Sequence, residues 1–222
     1  MDQITIAKLL EPFLAQSLAP AQLNNISTYI NMLLRWNARI NLTAIRNPEE
    51  IVTRHFGESL FCAQQIGAEK LCAQNLDARS PHERQPVVDI GSGAGFPGLP
   101  IKIFSPEIFL TLIESNQKKV AFLREVIREL DLKDATVFPG RAEDFAPTSP
   151  NNVVTLRAVE RFSDILPTAL RLAGPNGSLA LLIGEDQVQS TRDLAPDIKW
   201  QVPVPIPLSQ HRVILLGNAM FP

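Results

Sequence analysis

Residues 87–100 read VVDIGSGAGFPGLP, four glycines set directly behind a short apolar run that carries an acid. A glycine-rich turn straight after a strand is where an open α/β sheet holds its ligand, because glycine lets the backbone approach without a Cβ in the way. The stretch therefore predicts strand, turn and helix in that order, and the downstream sequence repeats the alternation. Short β-rich runs at 87–90, 109–113, 136–138, 153–156, 178–183 and 212–216 are separated by helix-length segments. That pattern implies a parallel sheet with helices on both faces, an α/β fold of Rossmann-like type. Between the second and third runs, Val120, Leu123, Ile127 and Leu130 form the apolar stripe of an amphipathic helix. Gly174-Pro175-Asn176-Gly177 stops a later helix, and the proline-rich tail at 201–207 belongs at a sheet edge before the last strand.

Upstream of the glycines the texture differs. Leu23, Ile26, Ile30 and Leu33 recur at three- and four-residue steps, which predicts a helix, with further helices over 6–18 and from Pro48 through His55 and Leu60. The chain thus divides into an N-terminal helical element (1–72), a polar linker (73–86) and the α/β domain (87–222). With 222 residues, 45% of them hydrophobic, a sizeable core is affordable. No apolar run reaches the roughly 20 residues of a membrane helix, and Asp2 stands where a signal peptide carries positive charge, so a soluble cytoplasmic protein without membrane contact is expected. Two cysteines, Cys62 and Cys72, are too few for a disulfide framework or a metal site and read as buried thiols. A net charge of -2 means that any nucleic-acid contact must rest on local charge.

Gly93-Ala94-Gly95-Phe96-Pro97-Gly98 also satisfies the dinucleotide pattern G-x-G-x-x-G, which alone is weakly informative. Two features favour S-adenosylmethionine instead. Pro97 and Pro100 each delete a backbone N–H near the start of the following helix, where a pyrophosphate would need it. Asp89 places a carboxylate where the cationic methionine end of a sulfonium cofactor gains from it. Glu114, at the end of the second strand, can accept hydrogen bonds from ribose hydroxyls, and the loop bearing Ala142, Glu143 and Asp144 lies at the same sheet edge, within reach of an adenine. The competing reading of Asp89 and Glu114 is simple capping of strand ends.

RWNARINLT (35–43), the Arg54-His55 pair followed by Ser59, DIGSGAGFPGLPI (89–101), KKVAFLREV (118–126), GRAEDF (140–145) and Arg157-Ala158-Val159 together resemble the RsmG/GidB family. Its members are bacterial methyltransferases that modify N7 of a guanine in small-subunit (16S) ribosomal RNA. The likeness runs from about residue 28 to residue 217. It implies cofactor contacts at Gly91, Phe96, the Ala142-Glu143 backbone and Arg157, and a helical cap on a seven-stranded methyltransferase sheet. With the residue-based reading, the expected cofactor set is Asp89, Gly91, Gly93, Gly95, Phe96, Glu114, Ala142, Glu143 and Arg157. The sequence departs from the family pattern at Ile183, where relatives commonly carry lysine, at Leu156, which replaces a serine, and at Glu58, which replaces an aspartate.

Guanine N7 offers a free lone pair, so no proton has to leave and no general base is required. In keeping with this, the fourth strand is followed by Arg157-Ala158-Val159-Glu160 and not by the Asn/Asp-Pro-Pro-aromatic motif of exocyclic-amine methylators, and no nucleophilic cysteine motif is present. Arg157 is the expected catalytic residue, a permanently charged donor to cofactor or base. The alternative is a structural ion pair with an acid such as Glu143 or Asp144. For RNA binding, Arg35, Arg39, Arg46, Arg54 and His55 stand against Glu49 and Glu50, a local charge of +2 with histidine neutral, and Arg141, Arg157 and Arg161 extend a basic rim. An ordinary solvated helix face is the other reading. Because N7 of A-form RNA faces a groove that side chains cannot enter, the target guanine is expected in a loop or unstacked segment. The expected partner is ribosomal RNA or the small ribosomal subunit, with no metal and a monomeric chain. The rivals are a small-molecule methyltransferase with a helical lid and a non-catalytic nucleotide- or RNA-binding module.

Overall fold

The computed structural model describes residues 1–67, 85–147, 152–157 and 162–219. The expected linker falls outside them apart from Gln85 and Pro86, as do Cys72 and Arg161.

Helix α1 (Gln3–Leu10) starts where the Asp2 side chain accepts from the Thr5 amide at 2.9 Å. It gives way to a 3-10 turn, Glu11–Phe13, so the single helix expected over 6–18 is corrected: it begins earlier and stops at residue 10. Pro12 supplies the reason, since a proline lacks the amide and its ring clashes with the preceding helical turn. Helix α2 (Pro20–Asn37) opens with proline at its first position and buries Ile26, Tyr29, Ile30, Met32 and Leu33. At its end the buried Asn37 accepts from the amides of Leu42 (2.9 Å) and Thr43 (3.1 Å) and donates to the Thr43 carbonyl (2.9 Å). One amide side chain thereby folds the Asn37–Thr43 stretch into a fixed turn. Asn47 then caps α3 (residues 48–66), accepting from Glu49 and Glu50. Within α3 the segment Ile51–Gly57 is wound as a π-helix, flanked by α-helical Pro48–Glu50 and Glu58–Ile66.

The remaining elements are β1 (Pro86–Ile90), α4 (Gly98–Phe104), β2 (Phe109–Ile113), α5 (Gln117–Glu129), β3 (Ala135–Phe138), β4 (Val153–Arg157), α6 (Phe162–Ala173), β5 (Ser178–Gly184), α7 (Gln187–Leu194), β6 (Ile198–Trp200), β7 (Val204–Pro205) and β8 (Arg212–Ala219). They form one sheet in the order β3-β2-β1-β4-β5-β8-β6, with β7 paired to β8. The five strands from β3 to β5 are parallel. The expectation of an all-parallel sheet is corrected at its far side, where β8 runs antiparallel to β5, β6 and β7. A parallel return needs a crossover of a dozen or more residues, usually helical. The prolines of the 201–207 tail preclude such a helix, so the chain doubles back instead. The tail itself holds only the short edge pairing of β7, as its prolines require.

Both sheet faces are covered, and β1 shows it: Val87 belongs to one core cluster and Val88 to the other. The first cluster joins Ile6, Ile26, Tyr29, Phe56 and Leu60 of the N-terminal helices to Val87, Leu112 and Phe122, so those helices share a core with one face of the sheet. The second packs Val88, Ile90, Val154 and Leu156 against Leu166, Ala169 and Leu172 of α6. This arrangement brings the π-wound part of α3 over the carboxyl ends of the parallel strands, where ligands of open α/β sheets bind.

Candidate active site

The turn after β1 is pressed between the sheet and α2. Gly95 holds φ +90°, and a Cβ there would collide with Leu99 and with the Tyr29 hydroxyl, which itself donates to the Ala94 carbonyl. At Gly98 a Cβ would lie 2.7 Å from Leu112 Cδ2 and 2.9 Å from Asp89 Oδ2. Asp89 is wholly buried beneath this turn: Oδ1 accepts from Thr155 Oγ1 at 2.7 Å and Oδ2 from the Gly98 amide at 3.4 Å. Burial pushes its carboxyl up to about 6, against the hydrogen bonds from Thr155, Ser92 and Gly98. Asp89 thus braces the loop from inside and does not line either cleft.

Two clefts meet at Gly91. The smaller, about 370 Å³, is bordered by Gly91, Glu114, Arg141, Ala142 and Glu143. Glu114 ties it to the glycine loop, accepting from the Gly93 amide at 2.9 Å through Oε2 and from the Asn116 amide at 2.7 Å through Oε1. Each oxygen keeps acceptor capacity for a hydroxyl. Ala142 and Glu143 sit on a 3-10 turn whose carbonyls receive Arg171 at 3.0 and 3.2 Å. Arg171 was not singled out from sequence, where it reads as a polar position on α6.

The larger cleft, about 580 Å³, is lined by Gly93, Phe96, Thr43, His55, Arg157 and Arg212 among others. Phe96 stacks between Tyr29 (centroids 5.4 Å apart) and the His55 ring (4.6 Å). His55 Nε2 lies 2.8 Å from Thr43 Oγ1, while the buried Nδ1 has no partner among the described residues. Burial first, then the guanidiniums of Arg157, Arg54 and Arg212, push His55 down to about 3, so the ring is neutral and binds no phosphate by charge. Arg157 does form the structural ion pair of the alternative reading, but with Glu58 in place of Glu143 or Asp144. It donates through Nη2 to the Arg54 carbonyl (2.6 Å) and Glu58 Oε2 (3.1 Å), and through Nη1 to the His55 carbonyl (3.5 Å). The other Glu58 oxygen meets Arg212 Nη2 at 2.5 Å and Arg54 Nε at 3.3 Å. Burial raises the Glu58 carboxyl from its ordinary value while the three guanidiniums oppose the rise.

Of the basic residues expected to meet RNA, the structure brings Arg54 and Arg157 into the larger cleft and Arg141 into the smaller one. Arg35 and Arg39 are exposed and line neither. Arg212 is the addition: it sits on β8 opposite Gly184, beside buried Ile183, and nothing in the local sequence marks it off from a charged residue opening a strand. Among the described residues no group of three or more side chains is arranged to hold a metal, and no helix is long and apolar enough to cross a membrane.

A largely parallel sheet of this order, with a glycine turn after β1 and an acid ending β2, defines a Rossmann-like, S-adenosylmethionine-dependent methyltransferase. Solved structures agree on the fold: TYW2 of Pyrococcus horikoshii in complex with MeSAdo superposes with a TM-score of 0.56 at 18% identity over 74% of this chain and 62% of that one. A ribosomal protein L11 methylase from Lactobacillus delbrueckii subsp. bulgaricus gives 0.55 at 11% identity over 74% and 80%. Residues 22–202 match the family model of GidB, the rRNA small subunit methyltransferase G, and the chain belongs to that family. Ribosomal RNA small subunit methyltransferase G of Roseiflexus castenholzii is 38% identical over 210 residues, covering 88% of this chain and 82% of that protein. The Shigella flexneri protein of the same name is 32% identical over 214 residues, covering 91% and 92%.

Proposed function

We propose that this methyltransferase modifies N7 of a guanine in small-subunit ribosomal RNA, with the adenosine of S-adenosylmethionine in the smaller cleft and the target base in the larger. The observation that carries the reading is the meeting of the two clefts at Gly91, one bordered by the Glu114 carboxylate and the other by arginines. The donor set suits the cofactor: Glu114 can accept from ribose hydroxyls, and Pro97 and Pro100 withhold the amides a pyrophosphate would use. When bound, S-adenosylmethionine supplies an electrophilic methyl group on sulfur.

The side chains lining the larger cleft position a base and do not deprotonate it. His55, pushed down to about 3 and with Nε2 engaged by Thr43, is too weak a base to take a proton near neutral pH, and Glu58 is committed to three guanidiniums. A ring nitrogen with its own lone pair needs neither. Holding acceptor and donor in line and excluding water supplies about 7 kcal/mol or more of the barrier in well-oriented systems. Arg54, with its side chain 44% exposed, makes the mouth of this cleft basic and open to a polymer, in contrast to the closed apolar pocket of a metabolite enzyme. The chain acts as a monomer in the cytoplasm, where its substrate is assembled.

Incubation with methyl-labelled cofactor and three acceptors tests this: bare ribosomal RNA, assembled small subunits and a metabolite extract. Label is expected in small-subunit RNA, bare or assembled. Label confined to the extract would replace the RNA reading by the small-molecule one.

A further inference from the structure

Three guanidiniums surround one carboxylate in the larger cleft, so the cluster carries a net charge of +2. We propose that Arg54 and Arg212, organised by Glu58, form a subsite for a single phosphodiester of the RNA strand beside the base that enters the cleft. This rests on the RNA reading above.

The three arginines differ in what they have left to offer. Arg157 is nearly enclosed, its side chain 10% exposed, and gives three of its five donors to Glu58 and to the carbonyls of Arg54 and His55. Arg54 and Arg212 are 44% and 28% exposed and face the open side of the cleft. Arg54 commits Nε to Glu58, and the other acid it meets among the described residues, Glu50, is itself half exposed and 3.8 Å away, a distance at which solvent weakens the pair. Arg212 commits Nη2 to Glu58 and Nε to the Ser209 hydroxyl at 3.1 Å. Each guanidinium has five N–H donors in a planar fork, so both retain donors suited to the paired oxygens of a phosphodiester. Glu58, 2% exposed, is screened by the three guanidiniums around it and so presents little negative charge to the strand. Its Oε1 is shared by Arg54 and Arg212, which holds two like-charged groups side by side against their repulsion. Lys119 borders the same cleft and adds to the field. With Ile183 apolar, Arg212 on the adjacent strand supplies a cation on that side of β5.

The test is binding of a short fluorescein-labelled single-stranded oligoribonucleotide across a salt series, with S-adenosylhomocysteine affinity measured by calorimetry in parallel. Loss of one phosphate contact lowers the slope of log K against log salt by about 0.7. That decrease is expected for Arg54→Gln/Arg212→Gln, with S-adenosylhomocysteine affinity unchanged and with partial recovery in Arg212→Lys. An unchanged salt slope overturns the subsite. So does a loss of S-adenosylhomocysteine affinity without loss of RNA affinity, which would make the arginines ligands of the cofactor carboxylate. Should the double variant fail to fold, Arg54→Gln alone, on a half-exposed side chain, is read in the same way with a smaller decrease. Methylation of ribosomal RNA by the unmodified protein is scored separately, so a failure of the RNA reading is distinguished from a failure of the subsite.

Discussion

Asp89 holds a carboxylate with no exposed surface directly under the glycine turn, and its position makes a prediction about pH. Its folded-state value, about 6, lies above the ordinary 3.8, so the folded protein binds the proton more tightly than the unfolded chain. The resulting stabilisation is complete below about pH 3.8 and is lost as pH rises through about 6. Relative to Asp89→Asn, the native protein is expected to lose about 3 kcal/mol across that window, read from denaturant midpoints at several pH values. Parallel curves for the two proteins would contradict the assignment. Arg157 predicts a different outcome. Arg157→Ala leaves Glu58 with two of its three cationic partners, so folding is retained, while transfer falls by about a hundredfold or more because the group that fixes the cleft wall is gone. Transfer within a few-fold of the original would remove Arg157 from the site.

At the scale of elements, the approach of α4 to the sheet depends on one missing methyl group. Gly98→Ala would force a Cβ against Leu112 and the Asp89 carboxylate, and is expected to destabilise the protein by about 1–3 kcal/mol, measured by thermal or chemical unfolding. The glycine turn and the parallel strands were legible because apolar runs bounded by glycine and proline are local signals. The apolar spacing that predicts a helix over 6–18 continues past Pro12, whose backbone chemistry overrides periodicity. Strand β6 carries no sequence signal: three residues, Ile198–Trp200, are too few to show a period, and they are held by pairing to β8 and by Trp200 packing over Gly217. The direction of β8 was invisible for a similar reason, since antiparallel and parallel strands of a buried sheet share the same apolar run.

For the molecule as a whole, the N-terminal helices and one sheet face bury their side chains in a common cluster. A single cooperative unfolding transition is expected, with α-helical and tertiary signals melting together; two separated transitions would show that the helical element folds on its own. The site divides along the same line. Gly91, Glu114 and Arg157 are legible in the sequence because each sits at a strand end that the motifs mark, and Ala142 because it lies in the motif-marked turn after β3. The Glu58 cluster did not, because Arg157 and Glu58 are 99 residues apart and meet only once α3 lies across the sheet. The most direct measurement is nucleoside analysis of small-subunit ribosomal RNA after incubation with the protein and methyl-labelled S-adenosylmethionine. The label is expected in 7-methylguanosine; label in an exocyclic-amine or ribose-methylated nucleoside, with none in 7-methylguanosine, would contradict the account.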